Sequence, residues 1–527
     1  MIALGWGTAA TAPQVAKPLQ LFDLNNYSGR IMVMKKLNTT LSARLLAPLL
    51  ISLFAASPAW ATCGGGGGGG GGGMSGGSGG GSAPEVYPVP WKVRAPKDPP
   101  ALGLILYWFP ASKEELKRSS LRMSRTLSLY ASQCISMELA DGNVPNAPKL
   151  VGEAKLPVAV LATPDGTPVT RIENKDGKLK VEVVEKVVQT EVKTRESALD
   201  EQLKEGKAKA AAGEKDAAVK LFQSVLEQKC LFPKKAKDAA KELKKLGLNE
   251  VASIADAPDF ASPVFDARKS ALIELTMRRG LIAENNARYL TAEKLYHQAR
   301  LMDPADPTPL RYLGELYRHH IGDWDKARST FEAILNMHAD PLSRAVALHG
   351  LGKITIHEGA FIKGLHLMEQ SVAEYPLALA YRNLAVYWNS EGDLVKGDEY
   401  TQKALALDPK DPYNLVFAAV FMAASGHGDE ALKIARANVN LLPASYNLAA
   451  IYAQNGQRQK ALAFLKRHFY QYERYHAVRS KEMMEARVDA VFNSLRQDSA
   501  FLALTRDADG RLMMPMKNMA TPSSTNK

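Results

Sequence analysis

Ten histidines and three cysteines are the side chains with which this chain could ligate a metal, move a proton or exchange a disulfide. All the histidines fall at or after His297, yet none stands in an H-E-x-x-H pair, the spacing that turns two imidazoles to one helix face. His319 and His320 are adjacent, so on a helix they point in different directions. Cys63, Cys134 and Cys230 form no C-x-x-C and no zinc spacing. An oxidising compartment would allow Cys134 and Cys230 to bond, but their spacing does not require it. Cys134 opens an apolar segment and reads as a small buried residue, with a lone redox thiol as the alternative. There is no G-x-S-x-G, no phosphate loop and no carboxylate pair tied to a strand end. The expectation is a protein that is not an enzyme, with no catalytic residue, no metal and no cofactor.

The elements around Cys134 form a small α/β unit. An apolar run of strand length from Ala101 to Trp108 leads into a helix from Ser112 to about Ser132. Ser112 with Glu115 three residues on makes a capping box at its start. A short strand follows from Cys134 to Leu139, then a strand from Leu156 to Leu161, a turn at Pro164-Asp165-Gly166, a returning strand from Val169 to Ile172, and a helix from Leu179 to about Thr194. This order, over residues 100–195, resembles thioredoxin. Trp108-Phe109-Pro110-Ala111-Ser112-Lys113 stands where that family carries W-C-G-P-C-K, and Pro157 is similar to its cis-proline. Phe109 and Ser112 replace both cysteines, so thiol-disulfide exchange through this motif is impossible. Two readings stay open: the motif only caps a small core, or the surface around Trp108 and Pro157 docks an extended polypeptide without chemistry.

From Leu199 onward the chain is helical and repeats itself. A small residue recurs at Ala292, Ala327, Gly364, Gly397, Ala431 and Ala461, at separations of 35, 37, 33, 34 and 30. An aromatic or Leu stands four residues on at Tyr296, Phe331 and Leu465, and Pro304, Pro376 and Pro409 close second helices. These copies resemble tetratricopeptide repeats, whose period is about 34 residues. The resemblance spans residues 199–470, with an earlier copy over 197–250 and the main array over 264–470. Residues 471–510 read as capping helices, with Phe492 to Phe501 similar to an ending common in such arrays, and 511–527 as a disordered tail. The resemblance implies a protein or peptide partner on the concave face of the array, touched by Arg311, Tyr312, Glu315, Asn383, Tyr387, Asn414, Asn447 and Tyr452. A solvated helix face or a packing role is the competing assignment for each.

The start of the chain reads as an export signal. Met34-Lys35-Lys36, an apolar run from Leu45 to Ala56 and Ala59-Trp60-Ala61 are its three parts, with cleavage after Ala61. The run is too short to span a bilayer, residues 1–33 read as an upstream extension, and Thr62 argues against a lipid anchor on Cys63. Residues 62–99 form a Gly- and Pro-rich linker, with ten successive glycines from Gly64. Of the net charge of +12, residues 1–61 hold +4 and residues 203–246 another +6. Lysines interspersed with acids on one helical stretch mark a solvated face rather than a nucleic-acid track. The expected protein is a periplasmic or secreted interaction scaffold, an α/β thioredoxin-like module followed by an all-α solenoid, without a transmembrane segment. A thiol-redox or chaperone-like protein using Cys134 and a structural envelope protein are the alternatives, and the sequence does not speak to oligomeric state.

Overall fold

The computed structural model describes residues 85–506, apart from 95–97, 141–143, 145–146, 391–392 and 474–475. The signal, the glycine run, the upstream extension and the C-terminal tail lie outside the described residues. Four strands build one sheet: β1 (Ile105–Phe109), β2 (Ser136–Leu139), β3 (Val158–Ala162) and β4 (Pro168–Glu173). Their order is β2-β1-β3-β4, with β1 parallel to β2 and antiparallel to β3. All five residues of β1 and of β3 are buried, because both faces of the sheet are covered. Leu106, Trp108, Ala159 and Leu161 face Leu127, Tyr130 and Val184, while Tyr107, Phe109, Val158 and Val160 face Ala147 and Leu150.

The helix expected over residues 112–132 is broken. Lys113–Arg118, a short 3₁₀ turn at Ser120–Arg122 and Arg125–Ala131 follow one another. Serines dictate the breaks, since Ser112, Ser119 and Ser124 each turn a side-chain oxygen onto a backbone N–H and start a new element. Leu156–Pro157 is cis and directly precedes β3. An extended segment, Val86 to Lys92, joins the sheet beside β2: the Lys92 N–H donates to Met137 O at 3.1 Å, and the Leu139 N–H donates to Lys92 O at 2.9 Å.

A single helix, Val181–Ala211, crosses the division expected between residues 195 and 197. It holds no Pro, and its buried positions Val184, Val188, Leu199 and Leu203 continue one apolar stripe from the sheet into the helical unit. The α/β unit and the first helix pair therefore share a core. Cys134 and Cys230 are joined by a disulfide across this junction. Cys134 is a half-buried turn residue with φ 60° ahead of β2, not a buried strand residue, and no lone thiol exists there.

Beyond Pro263 come six antiparallel helix pairs: Ala267–Asn285 with Tyr289–Met302, Thr308–Glu315 with Trp324–Leu335, Pro341–His357 with Phe361–Glu374, Ala378–Ser390 with Leu394–Leu407, Pro412–Ala424 with Gly428–Ala437, and Ser445–Gln454 with Arg458–Arg467. The recurring small residues sit at the crossings: Ala292, Ala327, Ala431 and Ala461 are fully buried, as are Gly364 and Gly397. The helix His476–Val488 and short helical turns to Leu504 follow the last pair. No helix among the described residues is long and apolar enough to cross a membrane.

Candidate functional site

The eight residues expected to touch a partner are all buried, the most exposed, Glu315, at 8%. Four of them are held in bonds between neighbouring repeats. Asn383 meets His349 Nε2 at 2.6 Å, Lys353 donates to Tyr387 Oη at 2.8 Å, and Asn447 Nδ2 lies 3.5 Å from Tyr413 Oη. Each of these pairs is 34 residues apart, so equivalent positions of successive repeats bond to each other. Asn414 accepts from Arg382 and donates to Ala404 O at 3.0 Å. Tyr452 stacks on Phe464, and Glu315 takes Arg318 in two hydrogen bonds of 2.7 and 3.2 Å. Arg311 lies 5.7 Å from the Tyr312 ring centroid, and none of its guanidinium nitrogens reaches a hydrogen-bond acceptor.

The chain itself covers this face. Tyr312 Oη donates to Val86 O at 3.4 Å and Tyr375 Oη to Trp91 O at 3.2 Å, which fixes the extended segment over the first repeats. Trp91 also meets Trp108 edge-on at 5.3 Å. Trp108, Phe109 and Pro157 are buried, whereas Ala111, Ser112 and Lys113 are exposed and Pro110 is half-buried. Over the next repeats lies the helix His476–Val488. Lys481 sits 3.4 Å from the Trp324 ring centroid, and His357 Nδ1 is 2.8 Å from Glu485 Oε1. Beneath it is a cavity of about 40 Å³ lined by Arg318, His319, His349, Lys353, Asn383 and Glu482 among others.

Burial governs the charges in this chamber. It pushes the imidazoles of His319, His349 and His357 well below their ordinary range, and it raises Glu485 to about 7. His357 and Glu485 are both driven toward their uncharged forms, which weakens the ion pair between them. Desolvation also lowers Lys481 to about 8. His319 and His320 do turn to different partners: His319 Nε2 lies 3.7 Å from Glu473 Oε1, and His320 Nε2 lies 3.6 Å from Glu284 Oε1.

The sequence did not point to a second opening, a cleft of about 980 Å³ between the α/β unit, the lysine-rich helices and the start of the array. Tyr130, Phe232, Phe260, Phe265 and Met337 supply apolar walls, and Lys193, Lys229 and Lys234 stand exposed at its rim. Tyr130 stacks on Phe265 at 4.6 Å and Phe260 meets His338 at 4.5 Å. Arg300 also lines it. Its Nη1 is buried with no hydrogen-bond partner, and desolvation lowers its pKa. The clustered lysines were the one available signal, and they read as a solvated face because their apolar neighbours come from three separate stretches of chain. Chemically the cleft can bind: aromatic walls take apolar side chains, and a desolvated guanidinium takes an anion.

Residues 310–345 match the tetratricopeptide repeat family model. The chain is similar to the Protein CTR9 homolog of Arabidopsis thaliana, at 23% identity over 232 residues, 35% of this chain and 21% of that protein. It thus spans about a fifth of that relative's length. The chain carries a tetratricopeptide repeat within a mostly helical architecture, beside a small sheet compatible with an α/β module.

Proposed function

We propose that this protein is an exported interaction scaffold that binds an extended, acidic segment of a partner protein without chemistry, in the cleft between the α/β unit and the array. The observation that carries this reading is Arg300: a cation with an unmet donor, set among aromatic walls behind a rim of lysines, calls for a carboxylate flanked by apolar side chains. The inner-helix residues serve it indirectly, as the bonded ladder that keeps successive repeats in register, while the chain's own segments occupy the face on which the resemblance placed the partner. The α/β unit is read as a thioredoxin-like module without redox function. Its strand order and the cis-Leu156–Pro157 bond ahead of β3 support this, and Phe109 and Ser112 stand at the motif's cysteine positions. Export with cleavage after Ala61 fits a disulfide between the two remaining cysteines of the folded part.

A photo-crosslinking residue at Phe260, in the full chain expressed in its native host, tests the binding site. One defined crosslinked protein, lost on adding Arg300→Glu, is the expected result. Crosslinks that persist unchanged with Arg300→Glu would remove the cleft from consideration. N-terminal sequencing of the mature chain checks the export reading: a start at Thr62 supports it, and an intact Met1 or Met34 opposes it.

A further inference from the structure

His468, Glu473 and Glu482 converge inside the protein, with one ligand atom of each within 4.8 Å of the others. They are 0%, 2% and 8% exposed. His468 Nε2 lies 3.2 Å from Glu482 Oε2. His319, 6% exposed, brings its Nε2 to 3.7 Å from Glu473 Oε1. Two polar atoms of the cluster have no hydrogen-bond partner, His468 Nδ1 and Glu473 Oε1. Two carboxylates and two imidazoles withdrawn from water thus make one hydrogen bond among them, with His319 Nε2 also meeting Tyr472 Oη at 3.5 Å, and leave two atoms unmet, although buried polar groups are almost always satisfied.

The backbone is arranged for this meeting. His319 lies in one π-helical segment, Leu316–Ile321, and His468 opens another, His468–Tyr472. Among the described residues these are the π-helical stretches, and such insertions into helices concentrate at functional sites. The wider turn lets His468 and Glu473, five positions apart, approach each other, and the helix His476–Val488 folds back to deliver Glu482.

We infer that His468, Glu473 and Glu482, with His319 as a fourth ligand, form a binding site for a divalent transition-metal ion of the zinc class. The donor set decides the class. Imidazole nitrogens with carboxylate oxygens and no thiolate suit Zn²⁺, Co²⁺ or Fe²⁺, whereas Ca²⁺ and Mg²⁺ take oxygen alone. An ion about 2.1 Å from each ligand atom needs those atoms roughly 3.4 to 4.2 Å apart, so the cluster closes with side-chain movements of under about 1 Å. Arg318, whose charge reaches Glu473 and Glu482, directs its hydrogen bonds to Glu315 and does not bond to either. The small cavity bordered by His319 and Glu482 has room for a water beside the ion.

The experiment uses the tag-free full chain, stripped with chelator and titrated with Zn²⁺ or Co²⁺. One equivalent is expected to bind, Co²⁺ with visible absorption of a nitrogen- and oxygen-ligated ion, and Tm is expected to rise with free Zn²⁺. Glu473→Gln and His468→Gln should each weaken binding by more than about 100-fold, beyond what loss of an outer-shell contact does. His366→Ala, at an exposed histidine, should leave it unchanged. Failure of the wild-type chain to take up stoichiometric Zn²⁺ overturns the inference without need of any variant. So does uptake that survives in both variants, or Mg²⁺ or Ca²⁺ competing equally with Zn²⁺.

Discussion

At the scale of single residues, Glu284 shows what burial does to this array. Its carboxylate accepts a 2.6 Å hydrogen bond from Tyr296 Oη, faces His320 Nε2 at 3.6 Å and has the charge of Glu315 nearby. Burial is the largest influence, Glu315 adds to it, the Tyr296 hydrogen bond opposes it, and the pKa rises to about 7. A carboxyl whose folded pKa lies above its unfolded value near 4.5 holds its proton more tightly when folded. Its contribution to stability is therefore fully present below about pH 4.5 and is lost as pH rises through about 7, a span worth up to roughly 3 kcal/mol. His320, lowered to about 4, runs the other way, adding stability as pH rises toward 6.5. The two slopes oppose each other in the wild-type chain. Glu284→Gln removes one of them, so denaturant midpoints of that variant between pH 5 and 8 should fall less with rising pH than the wild type's. An identical pH slope in both proteins would mean that Glu284 is ionised in the folded state.

At the scale of elements, Phe331 explains how one repeat is set on the next. Its ring is wedged between Gly314 of its own pair and Gly350 of the following one, and a Cβ at either glycine would overlap it. Tyr296 against Gly280 and Phe222 against Gly206 repeat the contact within a pair. Gly314→Ala is expected to cost about 1–3 kcal/mol through overpacking and Phe331→Ala about 3–5 kcal/mol through the cavity left behind, both read from chemical denaturation. In the double variant the alanine at 314 should cost less than it does alone, because the ring it would overlap is gone. This level of the fold was legible in the sequence, since a small residue recurs at the crossing in every copy, followed four positions on by an aromatic at Tyr296 and Phe331. The candidate sites were not legible, for two physical reasons. Arg311 and Tyr312 look like surface residues until Val86 to Lys92, over two hundred positions earlier, is laid across them. His468 and Glu473 look unrelated at helical spacing and meet through a π-helical turn, while Glu482 arrives from the next helix.

At the scale of the molecule, one buried arginine ties the α/β unit to the array. Arg125, 2% exposed, is paired with Asp303 and lies 3.2 Å from Asp306, both 0% exposed. It also donates to Val264 O at 2.7 Å and to Ser270 Oγ at 2.8 Å, and Tyr87 Oη donates to Asp306 at 2.9 Å. The cluster thus gathers the extended segment, the α/β unit, the linker before the array and its first helix pair into one network. The Cys134–Cys230 bond closes a second junction, between the α/β unit and the helical unit that precedes the array, over 96 residues of chain. By chain entropy such a loop is worth up to about 4–5 kcal/mol against the unfolded state. Reduction and Arg125→Met test different things. Reduction relaxes the unfolded chain but leaves every native contact, so Tm should fall while the unfolding transition stays single. Arg125→Met leaves two buried carboxylates without their cation, a loss of about 3–5 kcal/mol concentrated at the junction. Thermal unfolding of Arg125→Met followed by hydrogen exchange should show residues 86–92 and 264–306 opening ahead of the last repeats. Uniform protection loss along the array would mean that the repeats, and not the arginine, hold the two parts together.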